Sequence, residues 1–312
     1  MGTDLNFALQ QISPALDGLM RAASFLGSED FFLLLIPFIF WCVDTGLGAR
    51  LLFLLISSGF VNGLLKWTFH APRPYWIDAR LRPIAVEISY GLPSGHAQIS
   101  LTVWGYLALK IKRWWLWLIA ALVIFGVSLS RLYLGEHFLS DVLAGWLVGL
   151  IVLIAFLKIE PRVTQWIVPK PIEVQIAAAF AASVLTIGLG LIVHAALSDV
   201  IDPIEWAAFT GPLGPRSLND LISGAAVIFG AGLGLALLKR TVHFNARGPW
   251  SKRLARFALG LIGLIVLRFG LGAIFPQQPE IINLVFRYLR YVLILLWAVW
   301  VAPWVFIKLR LA

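Results

Sequence analysis

Cysteine is almost missing from these 312 residues: Cys42 stands alone, so it can form no internal disulfide and supplies no metal cluster. Charge is scarce too. Asp, Glu, Lys and Arg make up 13% of the chain, about half the usual share of a soluble domain, so there is too little to build a water-facing shell. Acids are the scarcer sign, 16 against 25 Lys+Arg, which leaves a net charge of +9 at pH 7. In a soluble protein that excess would point to nucleic acid. Here the cations fall in short loops between apolar runs, where the positive-inside rule accounts for them, so no nucleic-acid partner is expected.

Hydrocarbon fills the chain instead, with 60% hydrophobic residues and a mean hydropathy of +0.88. Apolar runs long enough to cross about 30 Å of lipid recur along the whole length, and they are too uniformly apolar for barrel strands. The fold class read from this is an all-α polytopic membrane bundle of about nine transmembrane helices, each roughly 17 to 25 residues long. Their centres lie between Phe38 and Leu296.

Three divisions are expected. Residues 1–28 place Leu5, Leu9, Ile12, Leu16 and Leu19 at helical spacing among polar positions, an amphipathic helix lying at the membrane interface. Residues 29–160 hold five spans and every polar motif. Residues 161–312 begin at a Pro-marked break, Pro161 through Pro169 and Pro171, and add four spans of unassigned role. Their Gly-rich stretches, Gly230 to Gly234 and Gly260 to Gly263, suit close helix packing rather than a phosphate loop.

Against this apolar background three polar blocks stand out: Lys66-x6-Arg73-Pro74, Pro93-Ser94-Gly95-His96, and Ser130-Arg131-x5-His137-x3-Asp141. Ionisable groups near membrane helix ends are costly and default to function. His137 and Asp141 are one helical turn apart, so the carboxylate can hold one imidazole nitrogen protonated and leave the other as a nucleophile. Arg131, Lys66 and Arg73 supply cations for a phosphoryl group. Ser94 and Gly95 open a helix whose first amide groups can cradle an anion, and His96 follows as an acid for the departing oxygen. Tyr75 and Trp76, directly after Arg73-Pro74, are candidates for the mouth of the site. His70 lies between two of the cations and is read as a structural or surface residue.

Together the blocks resemble the signature of the type 2 phosphatidic acid phosphatase superfamily, over about residues 30–158. The resemblance implies Lys66, Arg73, Ser94, Gly95 and Arg131 as phosphate ligands, His137 as nucleophile, His96 as general acid/base, Asp141 as orienting partner, and no metal or other cofactor. Arg73-Pro74-Tyr75-Trp76 and the span count also look like glucose-6-phosphatase, a member of the same superfamily. The expected activity is hydrolysis of a lipid phosphate or pyrophosphate through a phosphohistidine, with a phosphorylated lipid and the surrounding membrane lipids as partners. Transfer of the phosphoryl group to a lipid or sugar acceptor is the alternative, followed by a glucose-6-phosphatase-like activity and, last, transport. The sequence leaves oligomeric state open.

Counting spans from the amino terminus puts the three blocks on one face, opposite the basic loops Lys110 to Arg113 and Lys239 to Arg256. Those loops prefer the cytoplasm. The chemistry is therefore expected on the non-cytoplasmic side of a multi-pass membrane protein, the periplasmic or outer face of a bacterial inner membrane.

Overall fold

A computed structural model describes residues 2–210, 214–276 and 278–312, and among them every regular element is helical. In chain order the helices are α1 (Asp4–Ile12), α2 (Asp17–Phe25), α3 (Glu29–Cys42), α4 (Thr45–Phe69), α5 (Gly95–Ile111) and α6 (Trp114–Tyr133). There follow α7 (Leu139–Ile167), α8 (Ile172–Ala196), α9 (Asn219–Thr241), α10 (Trp250–Ile274) and α11 (Glu280–Leu296). A π-helical turn, Trp297–Val301, carries α11 into α12 (Ala302–Lys308).

The expectation of nine spans is corrected by helix length. A helix stands at each expected position, but among the described residues seven are long and apolar enough to cross a membrane, or eight if the bent pair from Pro14 to Cys42 counts as one. α3 has 14 residues and α5 has 17, about 21 and 26 Å at 1.5 Å per residue, both short of a full hydrocarbon crossing. The shortness of α5 follows from its ends: it starts only at Gly95 and stops at Lys112, which takes the left-handed conformation at φ +54°. α6 begins two residues later, so the pair forms a tight antiparallel hairpin.

By contacts the chain forms two compact units, and neither is continuous in sequence. The first comprises Met1–Phe32, Ser57–Leu157 and Leu191–Ser217, and it contains all three polar blocks. Inside it α7 meets α5 through glycines. A Cβ on Gly145 would lie 2.6 Å from the Ser94 carbonyl oxygen, and one on Gly149 would lie 2.8 Å from that of Gln98. A buried polar chain adds to this packing: Asn62 donates to the Pro93 carbonyl (3.2 Å) and to Gln98 Oε1 (2.9 Å), and Gln98 donates to the Ser58 carbonyl (2.8 Å). Each such group, left unsatisfied, would cost roughly 1–3 kcal/mol. The network therefore fixes where the Pro93-to-His96 turn stands relative to α4.

The amino-terminal helices bury polar residues against the protein and leave part of their apolar face exposed. In α1 the buried residues are polar, Asn6 and Gln10, while Leu5, Ile12 and Leu19 of α1 and α2 are exposed. Asn6 Nδ2 donates to the carbonyls of Leu132 (2.8 Å) and His137 (2.9 Å), and Gln10 exchanges hydrogen bonds with the Arg82 backbone. Polar groups thus help dock the segment onto the protein, with Leu9, Leu16 and Met20 packed beside them, while Leu5, Ile12 and Leu19 face outward.

The second unit comprises Leu33–Ile56, Lys158–Gly190 and Leu218–Ala312. Glycines again set the approach of its helices. Gly230 and Gly234 of α9 admit Val292, Leu295 and Val299, and Gly260 and Gly263 of α10 admit the rings of Trp41 and Trp297. Both indoles are then satisfied, Trp41 on the Ala298 carbonyl (2.8 Å) and Trp297 on that of Gly260 (2.9 Å). Arg256, read from sequence as part of a basic loop, is fully buried and donates to the carbonyls of Asn245 and Ala246.

Candidate active site

Four pieces of the first unit converge on one place: the end of α4 with the residues after it, the loop before α5, the end of α6, and the loop from Leu134 to Phe138 that leads into α7. Each sequence block lands here because a helix stops. α4 ends at His70, held at φ +47°, and Pro72 and Pro74 keep the chain from resuming a helix before Arg73. α6 ends just after Arg131, and the turn that follows sets His137 one helical turn ahead of Asp141 at the start of α7.

His137 lies at the centre and is buried. Its Nδ1 faces Asp141 Oδ2 at 3.4 Å, and its Nε2 faces Arg73 Nη1 at 3.3 Å. Arginine has donors only, so Nε2 must accept, which leaves the ring proton on Nδ1 toward the carboxylate. Asp141 is itself held by the Phe138 amide (2.9 Å), and its backbone carbonyl accepts from the Ser94 amide (3.0 Å). Burial, reinforced by Arg73 and Arg131, holds the His137 imidazole well below its usual range, so at neutral pH it keeps the lone pair a nucleophile needs.

The cations surround it. Arg73, fully buried, donates through Nε to the Ser89 carbonyl (2.7 Å) and through Nη2 to Ser89 Oγ (3.1 Å), and Lys66 reaches the same hydroxyl at 2.8 Å. Arg131 donates to Ser24 Oγ at 2.8 Å, while its Nε is buried without a partner. The Ser94 hydroxyl is likewise buried and unpartnered at the mouth of α5. His96, half-buried one residue into α5, sits in the electrostatic field of Arg131 and Glu87. All eight residues read from sequence as catalytic or phosphate-binding therefore stand in one neighbourhood. The neighbourhood gathers three cations, an unpartnered hydroxyl and the first amides of a helix, the kinds of group that suit a tetrahedral oxyanion.

Two site residues escaped the sequence reading. Glu136 is completely buried and bridges the two guanidiniums, 3.0 Å from Arg73 Nη1 and 3.3 Å from Arg131 Nη2. Glu87 bridges them as well, 3.4 Å from Arg131 Nη2 and 4.0 Å from Arg73 Nη2, with 37% of its side chain exposed. Burial alone would raise the Glu87 carboxyl, but Arg73 and Arg131 override it and bring it down to about 2. Glu136 carried a signal, since a rare acid directly precedes His137. Glu87 carried none.

Tyr75 and Trp76, expected at the mouth, are buried instead, because the segment after α8 covers them: Phe209 packs on Tyr75 (5.4 Å) and Trp206 on Trp76 (5.5 Å). Tyr75 has a different task, its hydroxyl donating to the Glu87 carbonyl (3.0 Å) and accepting from the Glu87 amide (3.1 Å). His70 stacks edge-on against Tyr90 (5.2 Å), and Tyr90 donates to Asp202 (2.7 Å).

Comparison with known proteins matches residues 47–165 to the PAP2 superfamily and residues 222–312 to the transmembrane extension of PAP2 superfamily phosphatases. Phosphatidylglycerophosphatase B of Bacillus subtilis is 30% identical over 151 residues, 44% of this chain and 72% of that protein. Sphingosine-1-phosphate phosphatase 1 of Rattus norvegicus is 31% identical over 137 residues, and the match spans only 32% of its length. Glucose-6-phosphatase 3 of Rattus norvegicus matches at 26% identity over 95% of this chain and 92% of its own.

Proposed function

Because this chain belongs to the PAP2 superfamily of membrane phosphatases, we propose that it hydrolyses a lipid phosphate or lipid pyrophosphate at the outer leaflet, through a phosphohistidine on His137. The phosphoryl group enters among Lys66, Arg73, Arg131, the Ser94 hydroxyl and the first amides of α5. Its arrival draws Arg73 off His137 Nε2, freeing that lone pair for attack. The Nε2–P bond forms as the ester P–O bond breaks, and His96, which takes up a proton as the phosphate dianion offsets the neighbouring cations, gives that proton to the departing oxygen. Asp141 stabilises the positive imidazole through Nδ1. In the second half His96 takes a proton from water, whose oxygen attacks phosphorus as the N–P bond breaks, releasing inorganic phosphate. The three cations favour both transition states electrostatically, a part that metal ions play in other phosphatases.

The observation that carries a lipid substrate is the pattern around Glu87. Its side chain enters the cradle, while its neighbours Val86 and Ile88 are 63% and 52% exposed. Apolar residues at the lip of an anion site suit a substrate whose tail stays in hydrocarbon. The near full-length likeness to glucose-6-phosphatase 3 supports a second reading, a soluble sugar phosphate taken from the aqueous side.

One assay separates the two. The purified chain in detergent, with a chelator present, is expected to release phosphate from phosphatidic acid, phosphatidylglycerophosphate or a polyprenyl pyrophosphate at kcat/KM at least about 100-fold above glucose 6-phosphate. Preference for glucose 6-phosphate reverses the assignment, and activity that needs a divalent cation removes the mechanism.

A further inference from the structure

The cradle is not empty of anions, and the two it holds differ in freedom. Glu136 is completely buried beneath the arginines and has no route out. Glu87 reaches Arg131 and Arg73 from the open side, with 37% of its side chain exposed, and its backbone is pinned in both directions by the Tyr75 hydroxyl. The carboxylate can therefore leave for water by side-chain rotation alone, without moving its loop.

Charge decides when it must. Counted over the three cations and the two carboxylates that touch the guanidiniums, with Asp141 set apart on the far side of His137, the resting cradle carries one net positive charge. A phosphate dianion added beside both carboxylates would turn that to one net negative charge among buried groups, which is unfavourable. With Glu87 expelled, the dianion and Glu136 balance the three cations. A monoanion beside both carboxylates would balance the count, but Glu87 already occupies Nη2 of both arginines, so the newcomer must take its place, and there it merely replaces one negative charge by another.

Building on the phosphate-cradle reading, we propose that Glu87 is the resident anion of the site and its specificity-determining residue. Every incoming phosphoryl group must displace it, so dianionic phosphomonoester and terminal pyrophosphate ends enter while monoanionic phosphodiesters do not. Its carboxyl, held at about 2, stays ionised at any physiological pH and so keeps its place as a competitor. Bulk membrane phospholipids are mostly phosphodiesters present in vast excess over any phosphomonoester substrate. A membrane phosphatase with a strong cation cradle at the headgroup plane needs a device of this kind to avoid being filled by them.

The test uses the full chain in detergent at pH 8, with inorganic phosphate and dimethyl phosphate as probes, by competitive inhibition and by calorimetric binding. Glu87→Gln is expected to tighten phosphate about tenfold or more and to become inhibited by dimethyl phosphate at concentrations that leave the wild type untouched. Glu87→Asp, which keeps the charge, restores resistance to dimethyl phosphate. Unchanged or weaker phosphate binding by Glu87→Gln, or continued indifference to dimethyl phosphate, overturns the proposal. Wild-type protein that binds no phosphate overturns the cradle reading itself, a different result.

Discussion

At the scale of the residue, the proposed chemistry rests on one imidazole gripped at both nitrogens, by Asp141 on one side and Arg73 on the other. His137→Ala is expected to lower kcat by about four orders of magnitude or more while inorganic phosphate still binds by calorimetry. Asp141→Asn keeps more activity, since the amide oxygen can still accept from Nδ1 and the surrounding packing still holds the ring. Near-normal turnover by His137→Ala would rule out the covalent route. These residues were legible because they lie in short blocks: His137 and Asp141 are a helical turn apart in one, and Arg73 stands with Lys66 and Pro74 in another. Glu87 was not legible, because its role exists only where a loop meets two arginines distant in sequence. Tyr75 and Trp76 were misplaced for the same reason, since nothing local announces that Trp206 and Phe209 cover them.

At the scale of the element, glycine placement positions the anion site. The first amides of α5 face the cradle only if α7 comes within contact of the Ser94 carbonyl, and Gly145 has no room for a side chain there. Gly145→Val is expected to cost at least about 1–3 kcal/mol and most of the turnover, read by thermal unfolding in detergent and by phosphate release. Gly126→Ala in α6 is the control: a Cβ there meets nothing within 4 Å, so melting temperature should hold or rise. Equal effects of the two would show that helix propensity rather than close approach is at issue. Sequence periodicity located each of these helices correctly but overestimated what α3 and α5 can span. Hydropathy counts apolar residues and does not see that a cap at Lys112 or a start at Gly95 cuts a helix short.

At the scale of the whole molecule, orientation remains the claim with the widest consequence. An outer-leaflet substrate requires the loop that carries Glu87 to lie opposite the basic α5–α6 turn. In a Cys42→Ala background, Val86→Cys is expected to react with an impermeant thiol reagent in intact cells or spheroplasts, and Lys112→Cys is expected not to. Both positions are exposed, so accessibility on the protein does not confound the result. The reverse pattern would place hydrolysis in the cytoplasm.

The hydrogen bonds from Asn6 to the carbonyls of Leu132 and His137 join residues 126 and 131 positions apart. During synthesis the donor leaves the ribosome long before either acceptor exists, so α1 must wait, undocked, until α6 and the turn beyond it have entered the membrane. Only then does the turn that carries His137 gain the two hydrogen bonds that Asn6 gives it, so the earliest residues of the chain are the last to clasp the site.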